Sequence, residues 1–136
     1  MKRLLVLTAI CSLFNSYSSW GGEKEYHCTT KSVSKLTSDG ILKSYSSPSL
    51  LTTFIVDKNS GLIKGYWINN EAWVTRTIID SGSSEQSFKL LTLSADVSRT
   101  NGGKLAMYLQ VKEYAETLEK PFMHTDGSIV RTGVCT

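Results

Sequence analysis

The sequence predicts an all-β domain: an antiparallel meander of about eight strands closed into a small barrel, with a two-sheet sandwich as the alternative. Three observations carry this. Short runs rich in Val, Ile, Thr and aromatic residues recur between Gly, Asn, Asp and Ser clusters, at a spacing of roughly eight to twelve residues. The segment 105–112 alternates strictly, with Leu105, Met107, Leu109 and Val111 set between Ala106, Tyr108, Gln110 and Lys112, the period of a strand with one core face. Two cysteines, Cys28 and Cys135, stand in the first and last runs, and a bridge between them favours a barrel, because closure makes those strands neighbours.

The elements follow in order. Lys2 and Arg3 precede an apolar run from Leu4 to Phe14 and a polar tract, Asn15 to Ser19, the layout of a secretory signal peptide. Small residues favour cleavage after Ser18 or Gly21, so the expected division is a signal peptide over 1–21 and a single β domain over 22–136. Tyr26 to Leu36 reads as the first strand, ended by Ser38-Asp39-Gly40, with Ile41 to Tyr45 as its partner. Leu50 to Val56 is apolar at nearly every position, as for a strand buried on both faces. Asp57-Lys58-Asn59-Ser60-Gly61 has hairpin chemistry and leads to Leu62 to Ile68. Asn69-Asn70 is the next turn, before Glu71 to Asp80, and Ser81 to Ser84 separates that run from Gln86 to Leu93. Ala115 to Lys120 is the one stretch of helix formers, giving a single helical turn that stops before Pro121. Phe122 to Thr125 and Ser128 to Cys135 close the chain as a hairpin around Asp126-Gly127.

Charge and cysteine usage narrow the function classes. Without Lys2 and Arg3, thirteen basic residues face twelve acidic ones, interspersed and with no basic stripe, which argues against nucleic-acid binding. No later segment reaches the eighteen apolar residues of a membrane span, so no stable membrane insertion is expected once the signal is removed. Cys11 falls in the signal peptide, and Ile10 before it is not the small residue a lipidation site needs. That leaves Cys28 and Cys135 as a pair in an exported chain, periplasmic or secreted, where the compartment is oxidising.

Ile78-Ile79-Asp80-Ser81-Gly82-Ser83-Ser84 resembles the signature of aspartic proteases, which implies a homodimer sharing a proton between two copies of Asp80. The same residues also read as turn punctuation after a strand. Asp57 to Gly61 lacks the Gly and Glu positions of a calcium loop, and His27 and His124 have no zinc-type spacing. No metal or cofactor is expected. The aromatics point to binding instead: Tyr66, Trp67 and Trp73 flank the Asn69-Asn70 turn, with Arg76 nearby, a grouping typical of protein or glycan anchors. The competing reading places these rings in the barrel core.

Tyr26-His27-Cys28, Phe54 to Asp57 and Thr132 to Cys135 together resemble short exported bacterial β-domain proteins of unknown function. The Tyr26-x-Cys28 opening is also similar to that of periplasmic inhibitors of C-type lysozyme, small barrels that insert a Ser-Gly-x-x-Tyr loop and a Trp-x-x-Gly-x-x-Ala segment into the enzyme cleft. Here Ser81-Gly82 continues as Ser83-Ser84-Glu85, and Arg76 stands three residues after Trp73. The resulting expectation is a non-enzymatic exported barrel that binds a protein or glycan through Tyr66, Trp67, Trp73 and Arg76, with inhibition of a cell-wall hydrolase as the alternative.

Overall fold

A computed structural model describes residues 24–73, 75–94 and 105–136. The expected signal peptide and its cleavage sites lie outside these residues. The described chain is all-β, with strands β1 (Glu25–Leu36), β2 (Leu42–Ser44), β3 (Thr53–Asp57), β4 (Ile63–Gly65), β5 (Thr75–Ser81), β6 (Phe88–Leu93), β7 (Ala106–Val111), β8 (Lys120–Asp126) and β9 (Ile129–Cys135). They form one antiparallel sheet in the order β4-β3-β1-β9-β8-β7-β6-β5, with β2 paired to the far end of β1. The sheet curls into a half-barrel around a core of Tyr26, Phe54, Val56, Ile63, Ile68, Phe88, Leu90, Leu109, Val111 and Phe122.

Side-chain alternation gives the sheet one core-facing side. On β6, Phe88, Leu90 and Thr92 are buried while Lys89, Leu91 and Leu93 are not, and on β7 Met107, Leu109 and Val111 take the inner face. Two edge-to-face aromatic pairs knit distant strands across the interior: Phe54 with Phe122 at 5.1 Å and Tyr26 with Phe88 at 5.4 Å. Gly127 at a φ of 56° opens the two-residue turn between β8 and β9, so its centre is Gly127-Ser128, one residue later than the Asp-Gly pair suggested.

Three expected elements differ. Ala115 to Lys120 forms bends and no helical turn; Lys120 Nζ donates to the Ala115 carbonyl, and Thr117 Oγ1 donates to the Glu119 carbonyl instead of leaving it to a helical ladder. Leu50 to Val56 is a strand only from Thr53, and it is buried on one face, with Ile55 pointing out. Residues 47–52 form a turn in which Leu51 takes a φ of 61° and its N–H bonds the Thr30 carbonyl. That turn fills the gap on β1 between its pairing with β3 and its pairing with β2. Leu62 to Ile68 and Glu71 to Asp80 are not a paired hairpin: β4 and β5 are the two ends of the strand path, with no ladder between them among the described residues.

The first and last strands do meet. Cys28 lies opposite Cys135 in the β1–β9 register, their sulfurs 2.07 Å apart and their Cα atoms 3.9 Å apart. The next pair is closed by reciprocal hydrogen bonds between His27 and Thr136 at 2.9 and 3.0 Å, so the bridge occupies the close-approach, non-hydrogen-bonded site of the ladder. Three residues further in, β1 bulges at Lys31. Opposite the bulge stands Gly133, where a Cβ would come within 2.0 Å of the Thr29 carbonyl oxygen; the strands approach that closely only because this residue has no side chain.

Candidate functional site

The aromatic loop lies between β4 and β5, the two end strands of the half-barrel. After Gly65 the chain turns back so that Asn70 lies beside Ile63, its N–H bonding the Ile63 carbonyl at 3.2 Å while its Oδ1 accepts the Ile63 N–H at 2.7 Å. The Asn70 amide nitrogen then donates to the Gly61 carbonyl at 2.9 Å and to Thr92 Oγ1 on β6 at 3.1 Å. Asn70 is wholly buried, and its side chain joins β4 to β6 where no strand pair does. Ile68 is buried beside it. The base of the loop is therefore fixed, and its tip is not covered: Tyr66 is 85 % exposed and Trp67 44 %, the rings edge-to-face at 4.8 Å.

The four residues singled out from the sequence are thus divided. Tyr66 and Trp67 form the exposed pair, while Trp73 is half-buried and packs on the core, its N–H bonded to the Asn70 carbonyl at 3.1 Å. Arg76, the second residue of β5, donates from Nη1 to the same carbonyl at 3.1 Å, so its guanidinium braces the loop from the side. Asn69, Glu71, Ala72 and Trp73 line a shallow hollow beside the loop. Two rings project and one supports. Sequence reading missed Asn70, since Asn-Asn has the composition of an ordinary turn and nothing local marks a side chain that will replace a ladder.

At the end of the sheet where β1 begins and β7 ends, Tyr26, Lys58 and Glu113 form a second polar group. The Tyr26 hydroxyl and the Lys58 ammonium both donate to Glu113 Oε1, and Lys58 Nζ lies 4.6 Å from the Tyr26 ring centroid. Burial alone would push the Glu113 carboxyl up, but the bonds from Lys58 and Tyr26 outweigh it and hold its pKa below the usual carboxylate value. Tyr26 is pushed far above the normal phenol range, first by burial and then by its bond to Glu113. At neutral pH the carboxylate stays ionised and the phenol stays protonated. The group ties the turn after β3 to the turn after β7.

A third polar group lies inside the half-barrel. Arg131 on β9 donates from Nε to Ser49 Oγ at 3.3 Å and from Nη1 to His124 Nδ1 at 3.4 Å, and all three residues are buried. Because a guanidinium only donates, Nδ1 accepts and the neutral imidazole carries its proton on Nε2. Burial and then the positive charge of Arg131 lower the His124 pKa to about 3. Sequence gave no sign of this pair: the register His124↔Arg131 creates it.

The remaining motifs serve turns. Asp57 Oδ1 accepts the N–H groups of Asn59 and Ser60 at 2.9 and 2.7 Å, and Gly61 follows at a φ of 67°. Asp80 accepts the Gly82 N–H at 3.0 Å and lies 3.6 Å from Lys89 Nζ, with Gly82 at a φ of 78°. No helix among the described residues is long and apolar enough to cross a membrane. Comparison of the chain with protein-family models, with curated proteins and with solved structures gives no match.

Proposed function

We propose that this chain is an exported, non-enzymatic binding domain whose anchor is the Tyr66–Trp67 pair, and that its sheet works as a barrel whose seam is spanned by the Asn70 loop. The observation that carries this reading is the contrast within one short loop: a base locked by buried Ile68 and Asn70, and a tip presenting two adjoining rings to solvent. Large aromatics held rigidly outside a core lose little entropy on binding, which is the behaviour of interface hot spots. An edge-to-face pair offers one ring's face and the other's edge, contacts that suit a protein surface or the face of a sugar ring. The disulfide agrees with export into an oxidising compartment, after removal of the N-terminal segment.

The test compares the oxidised domain with a Tyr66→Ala/Trp67→Ala variant on an immobilised array of defined glycans and against purified lysozymes. The reading expects a ligand whose affinity falls at least tenfold in the variant while the melting temperature is unchanged. A variant that unfolds would return both rings to the core and end the proposal.

A further inference from the structure

We propose that the β1–β2 hairpin arm is a reversible docking element for an anionic lipid bilayer. The arm lies beyond the core. β2 is exposed at every residue, and Leu36 and Leu42, which face each other in the register, are both about half exposed, as are Ile41 and Tyr45. Beside the arm's root, Leu51 is held at a positive φ with its side chain mostly in solvent, a strained backbone that keeps one more apolar group outward. So dense a run of solvated leucine and isoleucine is the kind of patch a monomeric surface rarely carries without a partner.

Charge selects the partner. Residues 34–45, the arm itself, carry Lys35 and Lys43 against the single aspartate Asp39, while Lys31, at the bulge before the arm, lies 3.8 Å from Glu119. Lys35 and Lys43 stand directly opposite each other across the two strands, a placement that costs stability in water. Asp39 lies 3.5 Å from Lys43 with both side chains half exposed, and Lys35 Nζ sits 6.0 Å from the Tyr45 ring centroid. The arm therefore presents leucines on one face and, on the other, a lysine pair with Tyr45 beside it, the composition of an element that sinks its apolar side chains to the headgroup boundary while its lysines reach anionic phosphates. An acidic protein would satisfy the lysines but leave Leu36 and Leu42 to find a separate pocket; a bilayer satisfies both at once. The docking is peripheral, with no spanning strand, and it is independent of the Tyr66–Trp67 loop.

Sedimentation with vesicles decides it. The oxidised domain is expected to partition onto vesicles of three parts phosphatidylcholine to one part phosphatidylglycerol, and at least tenfold less onto pure phosphatidylcholine, with binding weakened by added salt. Leu36→Ser/Leu42→Ser and Lys35→Glu/Lys43→Glu should each reduce partitioning by about tenfold or more, whereas Tyr66→Ala/Trp67→Ala should leave it within about twofold. Absence of vesicle binding overturns the proposal, as does binding that survives both arm variants or is lost with the aromatic pair. A doubling of solution mass abolished by Leu36→Ser/Leu42→Ser would assign the arm to a second copy of this chain and also overturn it.

Discussion

The half-barrel is held at two places by very different means. Where β1 meets β9, seven register pairs and a buried disulfide hold the strands together. Where β4 approaches β5, no ladder forms among the described residues, and the gap is bridged by hydrogen bonds of one asparagine side chain to Ile63, Gly61 and Thr92. The contrast separates two tasks. The junction that brings the chain ends together is covalent and repetitive, which is economical for stability. The seam is left to a loop, and a loop can carry exposed rings that a ladder residue facing the core cannot.

Removing the covalent half of the comparison should have the largest effect. Cys135→Ser opens a loop of 107 residues, and the chain-entropy model puts the loss at about 4 to 5 kcal/mol, a large share of a typical domain's stability. Urea denaturation of the oxidised parent and the variant measures it. A loss below about 1 kcal/mol would mean that the ladder alone suffices and that the two junctions are more alike than they look.

Acid should come next, and it acts on the sealed side. His124 has a folded pKa of about 3, beneath the ordinary histidine value of about 6.5, so the unfolded chain takes up a proton before the native one. The associated stability is fully present above about pH 6.5 and declines as pH falls toward 3, by something on the order of several kcal/mol. His124→Gln should flatten the stability profile across that window. An unchanged slope would show that carboxylates elsewhere account for the acid loss.

The seam follows. Asn70→Ala strands the Ile63 N–H and the Gly61 carbonyl, for a cost of about 2 to 4 kcal/mol. Amide exchange should quicken along β4 and the end of β6 while β1 and β9 keep their protection. Asn70→Asp retains an acceptor for Ile63 but buries a carboxylate oxygen against the Gly61 carbonyl oxygen, so at neutral pH it should be no more stable than the alanine variant. Uniform loss of protection would indicate that seam and junction unfold as one unit. The smallest stability effect belongs to Tyr66→Ala, below about 0.5 kcal/mol, because the ring is mostly in solvent.

How much of this could be read beforehand depends on whether the cause was local. The turns at Asp57 to Gly61 and Ser81 to Gly82 were legible because each is specified by its own side chains and by a glycine at positive φ. The Cys28–Cys135 pairing was legible because only two cysteines remained outside the N-terminal segment. The open seam was not: Leu62 to Ile68 and Glu71 to Asp80 each have strand composition, and what separates them is the contact of Asn70 with Thr92, twenty-two residues away. The Arg131–His124 pair was hidden for a similar reason, since a lone Arg between Val130 and Thr132 has the pattern of a solvated residue until the register turns it inward. Of the four candidate binding residues, composition alone cannot divide the projecting Tyr66 and Trp67 from the supporting Trp73 and Arg76.

The position of the disulfide also fixes how the domain responds to force. Tension applied at residues 24 and 136 enters β1 and β9 and reaches Cys28 and Cys135 almost at once, and the bond between them carries the load directly. The 107-residue loop behind it, with the core, the seam and the aromatic tip, lies outside the load path. An oxidised domain tethered by its ends would lengthen by only a few residues before the strain met a covalent bond. Reduction would place the whole sheet in series with the tether, so that the same pull would peel β1 and β9 apart and unravel it.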